Sequence, residues 1–171
     1  METILKTKIN VKILINVIYV VVALILPQIF HLILGNGNAY LPMHIPVLLA
    51  GFSLGPVYGL LAGVSSPVIS HMLTGMPAVF PAMPMMIAEL GAYGLTAGLL
   101  LQYAKKMPFM AKLLITMATG RIASGITAAI IGLPAFATVW TAIKTGLPGI
   151  AIQIGIAAIV VLILKKQETL A

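Results

Sequence analysis

The residues best suited to chemistry in this sequence are a glutamate and an arginine that stand inside long apolar stretches. Glu89 lies in the stretch 82–103 and Arg121 in the stretch 109–131, where most other residues are apolar or small. A charged side chain at the centre of a bilayer costs about 3 kcal/mol on insertion scales, and it usually faces a partner or a wet cavity. The two residues therefore predict either a pocket, with Arg121 on an anionic group and Glu89 on a polar one, or an ion pair between two helices. These interpretations are compatible, because an ion pair can open to admit a ligand.

The depth of the two residues favours contact between them. Counted from the outer ends of their helices, Glu89 is about seven residues deep and Arg121 about ten, which corresponds to roughly 10 and 15 Å at the helical rise. The two helices are consecutive and antiparallel, so their side chains can meet easily. We expect a binding pocket beside this pair, in the outer half of the molecule.

Three histidines, His31, His44 and His71, fall at outward helix ends on the same side as this pocket. Three imidazoles at one face can bind a transition metal. The sequence has no cysteine, no aspartate and no tight His-x-x-x-His spacing, so it favours no metal site. Contact with an organic ligand is the stronger expectation, with His44 and His71 as the candidates.

Aromatic side chains gather at the same end, in or beside the three outward loops: Tyr40, Phe80, Phe136 and Trp140. Aromatic residues at this level are typical of the belt that anchors membrane proteins at the interface. They are also typical of a lid of loops that closes over an organic ligand.

The composition identifies the scaffold that must position these residues. Of the 171 residues, 61% are hydrophobic and only 8% are charged, and the mean hydropathy is +1.14. Soluble domains are about one-quarter charged, so the chain is an integral membrane protein made of one transmembrane domain, residues 1–171. A net charge of +7 would otherwise suggest a nucleic-acid partner, but here it is explained by membrane topology.

The missing residue types exclude several kinds of function. Without aspartate or cysteine there is no aspartate-held magnesium, aspartyl dyad, disulfide or thiolate metal site. The sequence also lacks a phosphate-binding loop of the form G-x-x-x-x-G-K-[ST] and any cluster of serine, histidine and acid. We therefore expect neither an enzyme nor a bound cofactor.

Breaks in the apolar runs predict an all-α bundle of six transmembrane helices. One helix over 44–73 would be roughly 45 Å long, which exceeds a bilayer core of about 30 Å. Gly55 and Pro56 divide this stretch, so the second and third helices are short. Glycines recur at 51, 55, 59 and 63, which predicts close packing of these two helices. The six predicted spans are approximately 13–34, 44–54, 58–73, 82–103, 109–131 and 146–164.

The lysines predict the orientation of this bundle. With six spans and a cytoplasmic N-terminus, eight lysines fall on the cytoplasmic side and only Lys144 on the outer side. That asymmetry follows the positive-inside rule and predicts that both termini are cytoplasmic. The eight cytoplasmic lysines are Lys6, Lys8, Lys12, Lys105, Lys106, Lys112, Lys165 and Lys166.

Four short motifs give the chain a family resemblance. They read PMHIPVLLAG at 42–51, GPVYG at 55–59, LTGMP at 73–77 and ELGAYG at 89–94. With the chain length and the six spans, these motifs resemble the substrate-binding (S) components of energy-coupling factor (ECF) vitamin transporters. The resemblance covers essentially the whole chain and is greatest to the pantothenate-type members.

The resemblance implies a protein of the bacterial plasma membrane that captures a vitamin from outside. Its implied partners are the vitamin itself, a transmembrane coupling subunit and two cytoplasmic ATPases. The implied pocket is built from the outer loops and helices four to six, with the loop between spans one and two as its gate.

The sequence departs from the family pattern at one docking motif. Many members carry Ala-x-x-x-Ala in the first helix, whereas here Ala23 is followed four residues later by Pro27. The residues that dock the coupling subunit are therefore not assigned. The nickel and cobalt branch of the family uses a histidine at the second position, where this chain has Glu2.

For pantothenate, we expect Arg121 to bind the carboxylate, since guanidinium groups suit carboxylates. The other polar groups would meet side chains from the set Asn36, Asn38, His44, Glu89 and Gln153. A pyridoxine-like, pyrimidine or cobalamin ligand could use the same residues, with Trp140 or Tyr93 stacking on it. Two other classes of function remain open: a stand-alone permease in which Glu89 carries the proton, and an assembly factor that binds no small molecule.

Overall fold

Seven helices make up the part of the chain that the computed structural model describes, residues 2–34 and 40–156. No strand occurs among these residues. Asn36, Asn38 and the far half of the sixth predicted span lie outside them. The helices are α1 Glu2–Leu34, α2 His44–Leu54, α3 Pro56–Thr74, α4 Ala82–Tyr103, α5 Phe109–Ile130, α6 Ala135–Thr145 and α7 Leu147–Ile156.

The helices have the length and apolarity of a multi-pass membrane protein. Four of them, α1 over Ile9–Ile33, α3, α4 and α5, are long and apolar enough to cross a bilayer. The pair α6 and α7 passes the same test together but is bent by 61°, which would make a fifth span. The prediction of two short helices is confirmed for α2, whose 11 residues, or roughly 16 Å, are too few to cross alone, but it is wrong for α3, whose 19 residues are enough. The count of six spans and the cytoplasmic termini stay predictions.

Glycines bring α2, α3 and α4 into close contact. A methyl group added at Gly51 or Gly59 would overlap the backbone carbonyl of Gly94, and one at Gly63 would overlap the carbonyl of Leu90. The break between α2 and α3 depends on Gly55, whose φ of 100° is accessible to glycine at little cost. Pro56 then begins α3, where its missing amide is not needed.

The core lies where these three helices meet α5. Its fully buried members include Val47 on α2, and Leu90 and Tyr93 on α4. The Tyr93 ring fills the space that a side chain at Gly120 would occupy, which fixes α4 against α5. By contrast, most of the large apolar residues of α1 from Ile9 onward are exposed, as expected of a helix that faces lipid.

The connection after α5 differs from the prediction. Phe136 and Trp140 were expected in or beside an outward loop, but they lie on α6, which is helical from Ala135 to Thr145. The segment has only 11 residues between Pro134 and Gly146, so it is too short to be recognised as a span of its own. Its apolar and polar residues nevertheless segregate with helical spacing, and Gly146 ends the helix before α7.

Candidate functional site

The centre of the site is a carboxylate with two partners. Arg121 Nη1 donates to Glu89, at 2.9 Å from Oε1 and 3.2 Å from Oε2. His44 Nε2 lies 3.1 Å from Oε1, and because a carboxylate can only accept, the ring donates through Nε2. Glu89 is 5% exposed and His44 is 4% exposed, so this cluster is shielded from water. Buried charges require such pairing, since an unpaired one would cost several kcal/mol.

Both partners of Glu89 keep unused hydrogen-bonding capacity. Arg121 Nη2 and His44 Nδ1 are buried, and neither has a hydrogen-bond partner among the described residues. With Nε2 donating to Glu89, a neutral His44 can accept at Nδ1. An unmet buried polar group costs about 1–3 kcal/mol, and more when it is charged. The cluster therefore offers a ligand one donor and one acceptor.

The cluster borders a cavity of about 720 Å³ at one end of the bundle, which we call the cavity end. Small-molecule sites in proteins measure about 300–1,000 Å³. Its wall combines residues from α1 to α6 with the loops 41–43 and 76–78. The lining residues are Pro27, Gln28, His31, Leu41, Pro42, Met43, His44, Ser70, Met76, Pro77, Ala78, Ala82, Met85, Met86, Glu89, Arg121, Ser124, Ala137, Thr138, Thr141, Ala142, Thr145 and Gly146.

The cavity wall is mainly apolar with scattered hydroxyl groups. Of the lining residues that the structure describes, only Glu89 and Arg121 carry a formal charge with the histidines neutral. Four methionines supply apolar surface that can adapt its shape. The hydroxyl groups belong to Ser70, Ser124, Thr138, Thr141 and Thr145, and the methionines are Met43, Met76, Met85 and Met86.

Local structure explains why these side chains converge. His44 is the first residue of α2, and its amide donates to the Leu41 carbonyl at 3.1 Å, which directs the side chain towards α4. Glu89 and Arg121 lie on antiparallel neighbours, α4 and α5, and Ser124 follows Arg121 by one helical turn. Gly146 stands opposite Arg121, and a Cβ there would lie 3.4 Å from Nη2. The missing side chain leaves room for the guanidinium.

One comparison with known proteins decides the family. The model of the family "ECF transporter, substrate-specific component" matches residues 11–165. This chain belongs to that family. Comparison with curated proteins and with solved structures found no match.

Membership makes the protein an S component, the substrate-specific part of an ECF transporter. Such a component works with a small-molecule substrate, a membrane coupling subunit and ATPases. The cavity and the apolar helices described above are the features that this role requires.

Three of the residues predicted for the S component's site lie together on the cavity wall: His44, Glu89 and Arg121. Glu89 and Arg121 form an ion pair with each other and also line the cavity, so both interpretations of these residues hold in the structure. Asn36 and Asn38 lie outside the described residues.

The other four predicted residues stand away from the described cavity wall. His71 Nδ1 lies 2.8 Å from the Pro77 carbonyl oxygen and so holds the loop that borders the cavity. Tyr93 is fully buried and packs edge-on against His44, with ring centroids 5.3 Å apart. Trp140 is half exposed on the outside of α6. Gln153 on α7 is buried, and its amide has no partner within the described part of the chain.

The hydroxyl groups of the site were not predicted from the sequence. Thr138, Thr141 and Thr145 recur at helical spacing along one face of α6, which is the signal that could have found them. That signal has meaning only if the segment is helical, whereas the spans predicted from the sequence leave it as a connection between helices. Ser124 could have been found from its position one turn after Arg121.

Proposed function

We propose that this S component captures a small water-soluble vitamin in the cavity beside Glu89 and Arg121. It then delivers the vitamin inward with a coupling subunit and two cytoplasmic ATPases. The observation that carries the proposal is the cavity of about 720 Å³ whose wall includes the cluster of Glu89, Arg121 and His44. The unused Arg121 Nη2 and His44 Nδ1 supply polar recognition, and the apolar wall supplies burial.

The charge of the cluster supports a ligand with at most one negative charge. Glu89 already neutralises Arg121, so the pair has no net charge to offer a dianion. One uncommitted edge of the guanidinium can still receive a single carboxylate or a carbonyl group. A phosphate group, which carries nearly two charges at neutral pH, would bring about twice as much uncompensated negative charge into the buried site as a carboxylate does.

Pantothenate is the candidate that fits this chemistry and the motif resemblance. Its carboxylate would bind Arg121, and its hydroxyl and amide groups would bind the threonines of α6 and Ser124. A pyridoxine-like, pyrimidine or cobalamin ligand remains an alternative. Such a ring would pack on the methionines of the cavity wall, since Trp140 faces away from the cavity.

The lysine distribution supports the proposed orientation in the bacterial plasma membrane. In the proposed orientation, six spans place both termini in the cytoplasm and the cavity end outside. Lys105 and Lys106 follow α4 at the end opposite the cavity, whereas Lys144 stands at the cavity end.

Binding by the isolated protein without ATP tests this proposal. Native mass spectrometry should detect a copurified vitamin, and titration calorimetry should detect tight binding of pantothenate. The phosphorylated form of the same vitamin should bind about 100-fold more weakly or worse, which corresponds to about 2.7 kcal/mol.

Two matched threonine variants locate the site. Thr141→Val removes a hydroxyl from the cavity wall and should weaken binding about 3- to 10-fold, the usual effect of one hydrogen bond. Thr127→Val is the control, because that hydroxyl donates to the Ala123 carbonyl and is not part of the described cavity wall. Equal affinities of the two variants would contradict the proposed site. The absence of any bound vitamin would contradict the function.

A further inference from the structure

The helix α6 has two faces of different chemistry. On one side, Ala137, Thr138, Thr141, Ala142 and Thr145 form part of the cavity wall. Outside this wall, Phe136, Trp140 and Lys144 follow one another at intervals of four residues. At 100° per residue, Phe136 and Trp140 lie about 140–180° around the helix from Thr138 and Thr145, and Lys144 lies at the border between the two faces. A single helix thus separates the cavity from whatever surrounds the protein.

The outer face of α6 has the composition of a membrane-surface anchor. Phe136 is 82% exposed, and its ring stacks on that of Trp140, with centroids 6.3 Å apart and an interplanar angle of 7°. The Lys144 ammonium lies 5.2 Å from the centroid of the Trp140 ring. Trp and Lys in this arrangement are typical of the level where acyl chains meet headgroups, because each has an apolar body and a polar end.

This face continues a surface that already faces lipid. Ile122, Ile126 and Ile130 form an exposed apolar stripe along α5, and Phe136 lies beside it, where it lines a small apolar groove together with Ile122 and Gly125. The helix α6 is fixed to α5 where Val139 packs against Gly125, a position at which a Cβ would lie 2.9 Å from the valine methyl. The apolar stripe and the aromatic pair therefore form one surface, which ends at the positive charge of Lys144.

We propose that α6 lies in the membrane interface at the cavity end, with its Phe136–Trp140–Lys144 face bound to phospholipid. Phe136 would reach the upper acyl chains, Trp140 the glycerol level, and Lys144 a phosphate or an anionic headgroup. The part of the cavity wall that α6 supplies is then held in place by the bilayer. The proposal is independent of which vitamin binds. It rests on the proposed orientation in one respect, namely whether α6 contacts the outer or the inner leaflet.

Trp140 makes the test direct, because it is the single tryptophan in the sequence. The protein is reconstituted in phosphatidylcholine vesicles whose acyl chains carry bromine either near the glycerol or near the chain ends. We expect shallow bromines to quench Trp140 fluorescence about twice as strongly as deep ones, as for a helix buried 5–10 Å in the interface. Acrylamide added to the water should quench it weakly.

A relocated tryptophan provides the depth control. The double variant Trp140→Phe and Ile122→Trp places the fluorophore on the α5 stripe, two turns below the end of that helix, and deep bromines should quench it more strongly. Strong quenching of Trp140 by acrylamide, with none by either brominated lipid, would overturn the proposal and make this face water-exposed. That result would leave vitamin binding untouched, so it can be told apart from failure of the proposed function.

Charge reversal tests the role of Lys144. In vesicles that contain anionic phosphatidylglycerol, Lys144→Glu should reduce shallow quenching of Trp140, whereas Lys144→Arg should preserve it. Lys105→Glu, at the opposite end of the bundle, should have no effect. Unchanged quenching in Lys144→Glu would overturn the assigned contact between Lys144 and the headgroups. Size-exclusion chromatography confirms that each variant remains folded.

Discussion

Glu89 serves two partners at once, and this arrangement determines what the cavity can accept. The carboxylate receives Arg121 Nη1 on both of its oxygens and His44 on one of them. The guanidinium is therefore held in place before a ligand arrives, with its other nitrogen uncommitted. A preformed donor avoids part of the ordering cost of binding, which favours high affinity for a small solute.

The Glu89–Arg121 pair should show strong energetic coupling. Glu89→Gln leaves the Arg121 charge buried without its counter-ion, and loss of one partner from a buried pair costs about 3–5 kcal/mol. Arg121→Met alone likewise leaves the Glu89 charge buried without its arginine counter-ion. We expect the double variant to be less destabilised than the sum of the two single variants, because it removes both charges. Thermal unfolding in detergent measures the stability of the two single variants and the double variant, which together form a double-mutant cycle. Additive losses of stability would show that the pair is not coupled.

The charged residues of the site could be predicted from sequence because their cost is independent of the details of the fold. A glutamate or an arginine inside an apolar stretch needs a partner or water in almost any bundle. Serine and threonine carry no such cost, because their hydroxyls can bond to the preceding turn of their own helix, as Ser66 does with the Ala62 carbonyl at 2.7 Å. The placement of Thr138, Thr141 and Thr145 on the cavity wall depends on the rotation of α6, which hydropathy along the sequence does not determine.

At the scale of elements, helix ends were predictable wherever glycine or proline marks them. The predicted span 44–54 coincides with α2, and 82–103 coincides with α4. The predicted span 58–73 falls inside α3, whose first residue is Pro56 and whose end is followed by Gly75 in the left-handed conformation. The helix α6 was not predicted because spans are identified by their length, and an amphipathic helix of 11 residues is too short to meet that criterion.

The close packing of α3 against α4 can be tested by adding a methyl group at one of its glycines. Gly59→Ala places a methyl group against the Gly94 carbonyl, which is backbone and cannot move aside. We expect this variant to lose at least about 1–3 kcal/mol, the usual cost of overpacking. Gly155→Ala is the matched control, because nothing among the described residues lies within 4 Å of the new methyl group. Alanine there should be neutral or stabilising, since it favours helix more than glycine does.

Thermal unfolding monitored by size-exclusion chromatography distinguishes these two glycine variants. A Gly59→Ala protein as stable as Gly155→Ala would mean that α3 and α4 can separate without cost. The glycines would then serve motion between the helices rather than close packing. Either result shows whether tight packing of α3 against α4 is needed to hold the neighbouring helix α2, and with it His44, against Glu89.

At the scale of the whole molecule, the cavity is built at one end of the bundle and the lysine-rich connection at the other. The cavity end contains the loop 75–81, the start of α4 and all of α6. The opposite end contains Lys105 and Lys106 between α4 and α5. Because the positive-inside rule places the lysine-rich end in the cytoplasm, it predicts that the binding site at the other end faces outward.

Sidedness can be measured directly because the sequence contains no cysteine, so each introduced thiol is the only one. Val79→Cys places a thiol in the loop before α4, where the native side chain is 61% exposed. Lys105→Cys places one in the exposed connection after α4. A membrane-impermeant maleimide added to intact cells should label the first variant, and it should label the second only after permeabilisation. Because a single helix separates the two sites, labelling of both from outside would contradict a transmembrane α4, and the reverse pattern would place the cavity in the cytoplasm.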